Sequence, residues 1–285
     1  MYEFLIYQKK GGLFSLFVLI DQFSPVSLAL CGTLFTWGVT ALGAAMVFCF
    51  RRVGKKLLDS MLGFSGGVMI AASFWSLLLP AKELCEAAGR ESGLSLSVGF
   101  LAGGFLLLFG DLLFERKNEK MKRGAETPEK GKSRCRMLLV SVTLHNIPEG
   151  MAVGVAFGSA ALGLEGATLT AACILTLGIG LQNFPEGTAV SLPLFREGMS
   201  PGRAFFFGQL SGAVEPIGAI FGAWLVLTAK RMLPFLLSFA AGAMIYVVIS
   251  ELIPACTEGG KSRFAPLSAL FGFALMMALD VILGT

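Results

Sequence analysis

The sequence predicts an all-α integral membrane fold of eight transmembrane helices with inverted-repeat organisation, helices one to three being related to helices six to eight. Three observations carry this. Of the 285 residues, 55% are hydrophobic and only 15% are charged, whereas soluble domains are roughly a quarter charged. Apolar runs near the length a bilayer requires, about 20 residues, recur along the chain between short polar stretches. One hexapeptide also occurs twice, in successive apolar segments: His145-Asn146-Ile147-Pro148-Glu149-Gly150 and Gln182-Asn183-Phe184-Pro185-Glu186-Gly187.

Residues 1–26 hold one short apolar piece, Leu13 to Ile20, broken by Asp21 and Pro25. It is too short to span and reads as an N-terminal interfacial segment; no signal-peptide pattern precedes it. The first helix is expected over 27–50, before Arg51-Arg52, the second over 57–80, stopping at Pro80, and the third over 94–114. The stretch 115–136, rich in Lys and Arg, reads as a solvated cytoplasmic loop. Helices four and five, over 137–160 and 167–193, carry the hexapeptide, and helices six to eight follow over 202–228, 232–254 and 264–284. The membrane domain is single, 27–285, with 27–114 before the basic loop and 137–285 after it.

Basic residues set the orientation. With the N-terminus outside, seventeen Lys and Arg fall in cytoplasmic segments and six outside, so both termini are expected to be extracytoplasmic. The net charge of +4 is spread between apolar runs rather than gathered on one face, which excludes a nucleic-acid footprint. Six cysteines stand singly, without a C-x-x-C pair, so neither a zinc knuckle nor a disulfide framework is indicated. Symmetry shows between helices two and seven: Phe64-Ser65-Gly66-Gly67-Val68-Met69-Ile70 parallels Phe239-Ala240-Ala241-Gly242-Ala243-Met244-Ile245, and each run leads to a proline, Pro80 or Pro254. Helices that repeat with opposite crossing directions are a transporter pattern, with the site at the midplane.

Between Met137 and Phe195 there is no Lys or Arg, yet Glu149 and Glu186 lie mid-way along their segments. A charge at bilayer depth marks a functional site by default. On a helix His145, Asn146 and Glu149 share one face, as do Gln182, Asn183 and Glu186. Pro148 and Pro185 free the carbonyls of Leu144 and Leu181, tolerable at that depth only where backbone lines a cavity or is buried in protein. The sixth helix adds Glu215-Pro216. Carboxylates without a cation on their own helices must be protonated, metal-bound or paired across helices. One imidazole, three carboxylates and three amides suit a divalent metal of borderline character such as Zn²⁺, with iron, manganese and cadmium as alternatives.

These residues resemble the ZIP (ZRT/IRT-like) metal transporters, in particular the GufA-like branch. The match rests on His145 to Gly150, on Gln182 to Gly187, on Ser211-Gly212 through Glu215-Pro216, and on the eight-helix plan. The resemblance implies passage of zinc and related divalent ions (Cd²⁺, Fe²⁺, Mn²⁺) toward the cytoplasm through a binuclear centre, the ion being cargo rather than cofactor. One site would use His145, Glu149, Gln182 and Glu186. The other would use Asn146, Asn183, Glu186 and Glu215, with Glu149 bridging. Met69 matches a position near the first metal, and Ser250 and Glu251 match the cytoplasmic path. An elevator mechanism is implied, in which helices one, four, five and six move against two, three, seven and eight, within a homodimer; the membrane is expected to be a plasma membrane, the compact size favouring a bacterial one. Gln182 stands where many relatives have a second His, and the 115–136 loop lacks their His run.

Other readings make different demands. Gly63-Phe64-Ser65-Gly66-Gly67 fits a G-x-S-x-G pattern, which would make Ser65 the nucleophile of an intramembrane protease. That leaves the doubled Pro-Glu-Gly unexplained, and small residues at this spacing are ordinary helix-packing chemistry. A zinc protease of the H-E-x-x-H kind is excluded, because the chain has one His. A metal-selective gated channel and a non-transporting metal sensor share the same ligands.

Overall fold

The structure is a computed structural model, and it describes residues 24–50, 54–89, 91–122, 130–164, 167–196, 198–257 and 263–283. The expected interfacial segment therefore lies almost wholly outside the described residues. The described secondary structure is helical: α1 (Pro25–Cys49), α2 (Lys55–Ala87), α3 (Ser92–Lys122), α4 (Lys130–Ala161), α5 (Leu169–Arg196), α6 (Pro201–Thr228), α7 (Leu233–Cys256) and α8 (Phe264–Leu283). Six of these, α1, α2, α3, α6, α7 and α8, contain stretches long and apolar enough to cross a membrane. The other two, α4 and α5, carry the hexapeptides, and their mid-length Asn, Glu and Pro lower the apolarity of any spanning window.

Three expected boundaries shift. Pro25 begins α1 instead of closing the lead-in; proline suits the first helical position, whose N–H needs no partner, and Ser24 caps the turn by accepting from the Ser27 N–H at 3.1 Å. Pro80 does not end α2. A π-helical turn, Ser73–Leu78, precedes it, and the widened turn accommodates the absent donor, so the helix runs on to Ala87. The α7 helix does the same, with a π turn at Val248–Leu252 just before Pro254. Thirdly, most of the expected 115–136 loop is helical: α3 extends to Lys122 and α4 begins at Lys130. Lys, Arg and Glu are good helix formers, so polarity ends the bilayer-compatible stretch without ending the helix.

The core lies among α2, α4, α5 and α7, where Met69, Leu77, Leu175, Ile179 and Met244 are at most 1% exposed. By contrast α3 and α8 are the least enclosed of the six apolar helices. Leu94, Val98, Leu101, Phe105 and Phe109 form an outward apolar stripe along α3, a surface suited to lipid and too large for a water-exposed face.

Glycines let backbones touch at four principal seams: α1 with α5, α4 with α6, α2 with α8, and α3 with α7. A β-carbon at Gly150 would stand 2.1 Å from the Glu215 carbonyl oxygen, and one at Gly187 2.1 Å from that of Thr40. Likewise Gly103 abuts the Phe239 carbonyl at 1.9 Å, and Gly272 that of Phe64 at 2.2 Å. The reciprocal contacts, Gly242 on Phe100 and Gly67 on Ala269, are as close. A single sequence offset takes Thr40 to Glu215, Gly43 to Gly218, Phe64 to Phe239 and Gly67 to Gly242, so these seams correspond residue by residue.

Neighbouring glycines on α3 provide a test. Gly103→Ala forces the α3–α7 seam apart and should cost about 1–3 kcal/mol, the usual penalty of overpacking. At Gly104 the nearest atom to an added β-carbon is 3.7 Å away, so Gly104→Ala should be neutral or slightly stabilising. Melting of the two variants in detergent should separate them, and equal midpoints would contradict the packing.

Candidate metal centre

Both hexapeptide copies are helical throughout, and their prolines sit inside α4 and α5. Asn146, Glu149, Gln182, Asn183 and Glu186 are all buried. The side chain of His145 lies outside the described ones. Helix α6 reaches the same place by a different device. Its first part ends at Leu210, a tight turn spans Gly212–Val214, and a new helical segment begins at Glu215 with Pro216 beside it. Glu215 thus stands at a helix N-terminus, where a carboxylate is favoured by the unpaired N–H groups.

The two copies meet. Gln182 Nε2 donates to Glu149 Oε1 at 2.6 Å, and Asn183 Nδ2 donates to Glu215 Oε1 at 2.9 Å. The amides therefore lie between the carboxylates and tie α4 to α5 and α5 to α6. Three residues absent from the expected site complete it. Ser65 on α2 donates to Glu186 Oε1 at 2.8 Å. On α1, Thr36 donates to Glu215 Oε2, and Thr40 reaches Glu215 Oε1 at 3.5 Å. The sequence does carry a trace of the threonines: Thr33, Thr36 and Thr40 form a polar stripe at helical spacing on an otherwise apolar segment. Ser65, the residue of the protease reading, serves here as a donor to a site carboxylate.

Donors account for part of the cluster only. Asn146 Oδ1, Glu149 Oε2, Gln182 Oε1 and Asn183 Oδ1 are buried with no hydrogen-bond partner. All four are oxygens, and all come from the repeated motif. Buried acceptors left without donors are costly, and an ion coordinated by oxygen is what such a set lacks. Among the described residues no three His, Cys, Asp or Glu side chains form a closed set of metal ligands. The interposed amides hold the carboxylates apart, so an ion here would draw on amide oxygens as well.

The remaining expected residues divide. Met69 is fully buried one turn beyond Ser65 on α2, on the same helical face. Ser250 and Glu251 stand on α7, which supplies none of the donors described above. They lie in the π turn of α7, Ser250 exposed and Glu251 partly so. There they neighbour Tyr246, whose hydroxyl donates to Asp111 Oδ2 at 2.8 Å.

A family model described as ZIP zinc transporter matches residues 114–280. Among curated proteins, zinc transporter ZIP11 of Bos taurus is 39% identical over 337 aligned residues, covering 92% of this chain and 98% of its own. Zinc transporter GufA of Myxococcus xanthus is 37% identical over 262, covering 90% and 98%. Zinc transporter ZIPB of Bordetella bronchiseptica is 37% identical over 267, covering 91% and 82%.

A cation that fills this cluster should stabilise the fold by mass action. Zn²⁺ at a hundred times its Kd adds about 2.7 kcal/mol, readable as a rise in melting temperature. Glu149→Gln should abolish that rise while leaving the metal-free protein no less stable, because it removes a buried charge. An undiminished rise in the variant would show that the ion binds elsewhere.

Proposed function

The chain belongs to the ZIP zinc transporter family, and from that premise we propose that it moves divalent metal, zinc foremost, into the cytoplasm through a binuclear site between α4, α5 and α6. The observation that carries the reading is the set of four buried, unpartnered oxygens contributed by both copies of the hexapeptide. One ion takes His145, Glu149, Gln182 and Glu186, with Met69 nearby. Its neighbour takes Asn146, Asn183, Glu186 and Glu215, and Glu149 bridges the two. Oxygen-rich ligation with a single imidazole admits cadmium, iron and manganese besides zinc. Ser250 and Glu251 serve the cytoplasmic exit.

All eight helices cross the membrane as a single domain with both termini outside. Helices α1–α3 and α6–α8 form inverted repeats around α4 and α5. Two features support the repeat: the constant offset relating the glycine seams, and the matched π turns of α2 and α7. Transport follows an elevator stroke, α1, α4, α5 and α6 moving against α2, α3, α7 and α8 within a homodimer. Hydrogen bonds support this division. Gln182–Glu149, Asn183–Glu215, Thr36–Glu215 and Trp37–Gln209 join helices of the first group. Ser76–Asp280 and Tyr246–Asp111 join helices of the second. The bond from Ser65 to Glu186 runs between the groups and must break if they slide.

Zinc uptake into proteoliposomes tests the reading. Wild-type vesicles should accumulate zinc, and Glu149→Ala and Glu186→Ala should each reduce uptake at least tenfold while eluting as folded protein. Equal uptake by all three would reduce the repeated motif to packing and sink the site assignment.

A further inference from the structure

We propose that Thr36, seconded by Thr40, is a positioning residue of the metal site, orienting Glu215 and Asn183 for the ion from helix α1. The proposal rests on the transport reading and deepens it. Thr36 is 0% exposed and Thr40 1%. A buried helical threonine ordinarily returns its proton to a carbonyl on its own helix. Thr33 does so, donating to Ala29 O at 2.8 Å, and Thr40 shares its one proton between Thr36 O at 3.2 Å and Glu215 Oε1 at 3.5 Å. Thr36 differs: the Thr33 carbonyl is 3.2 Å from its hydroxyl, but Glu215 Oε2 is nearer.

Thr36 acts on the site twice. Its hydroxyl holds one oxygen of Glu215, and its carbonyl accepts from Asn183 Nδ2 at 3.3 Å. That same Nδ2 donates to Glu215 Oε1. Both neighbours of the Asn183 amide nitrogen are thus acceptors, which decides the flip of the amide: the nitrogen faces Thr36 and Glu215, and Oδ1 is turned away, buried and unpartnered. Space on the α6 side is closed, since a β-carbon at Gly212 would lie 3.0 Å from both Glu215 Oε1 and Thr40 Oγ1. Removing the Thr36 hydroxyl frees the carboxylate to rotate and releases the amide it braces. Partners that hold metal ligands in this way typically contribute 10–100-fold to affinity.

Thr36→Val keeps the shape and removes the donor, whereas Thr36→Ser keeps the hydroxyl. Zinc binding to the purified full chain by titration calorimetry, and zinc uptake by proteoliposomes, would be measured for both. Thr36→Val should weaken zinc affinity and raise the half-saturating concentration by about 10–100-fold, with maximal rate much less changed, and Thr36→Ser should restore both toward wild type. Affinity in Thr36→Val equal to wild type, or Thr36→Ser as impaired as Thr36→Val, would overturn the role. Should Thr36→Val not fold, Thr40→Val carries the test: a smaller but measurable loss of affinity is expected, and none would overturn it. Wild-type protein that bound no zinc would overturn the transport reading and this role with it; an indifferent Thr36→Val beside a zinc-binding wild type overturns the role alone.

Discussion

Glu149, Glu186 and Glu215 are buried among helices whose outer faces suit lipid, and the rest of the structure answers to that constraint. A carboxylate withdrawn from water costs several kcal/mol unless donors or cations compensate. No described salt bridge reaches Glu149 or Glu215. Their compensation comes from Gln182, Asn183, Thr36 and Thr40, with Ser65 serving Glu186. Each amide that donates leaves its own oxygen behind, so neutral donors transfer the deficit to new acceptors. A cation resolves carboxylates and amide oxygens together, which is why a cluster stabilised this way remains receptive to one.

Bringing those side chains together requires the helices to approach more closely than ordinary side chains permit. Gly150 and Gly187 close the hexapeptides, and each sets its helix against a partner backbone, α6 in one case and α1 in the other. The last residue of the motif is therefore a packing element, while its first, second and fifth residues supply polarity and its proline frees a carbonyl on the preceding turn. The correspondence of the two seams also explains the location of Thr40: it occupies on α1 the place that Glu215 occupies on α6. One half contributes the carboxylate, and the other contributes hydroxyls that hold it.

Much of the site was legible beforehand because polar residues at bilayer depth are conspicuous against an apolar background. Asn146, Glu149, Gln182, Asn183 and Glu186 stand out through an unbroken absence of Lys and Arg and a doubled motif, and Glu215 as a carboxylate beside Pro216 on the sixth apolar segment. Ser65, Thr36 and Thr40 were not, since small hydroxyl residues are common in membrane helices and carry no charge to flag them. The one chemical pattern that includes Ser65, G-x-S-x-G, points to a nucleophile rather than to a donor. Proline and charge are poor markers of helix ends in this chain. At Pro80 a π turn absorbs the missing donor, and beyond Glu115 charged helix formers carry α3 onward.

Composition and periodicity, acting through the cost of exposing backbone and charge to hydrocarbon, determined by themselves that the chain is a bundle of apolar helices with an acidic centre on α4 and α5. These are local quantities, legible in single segments. Which oxygens lack donors, which way the Asn183 amide faces, and that α1 and α2 reach into the centre were decided only by tertiary structure. Each depends on contacts between separate helices, several of them joining residues more than a hundred positions apart, such as Thr36 with Glu215 and Ser65 with Glu186. Helix packing, not sequence proximity, selects those contacts, and glycine seams fix it by admitting one close approach.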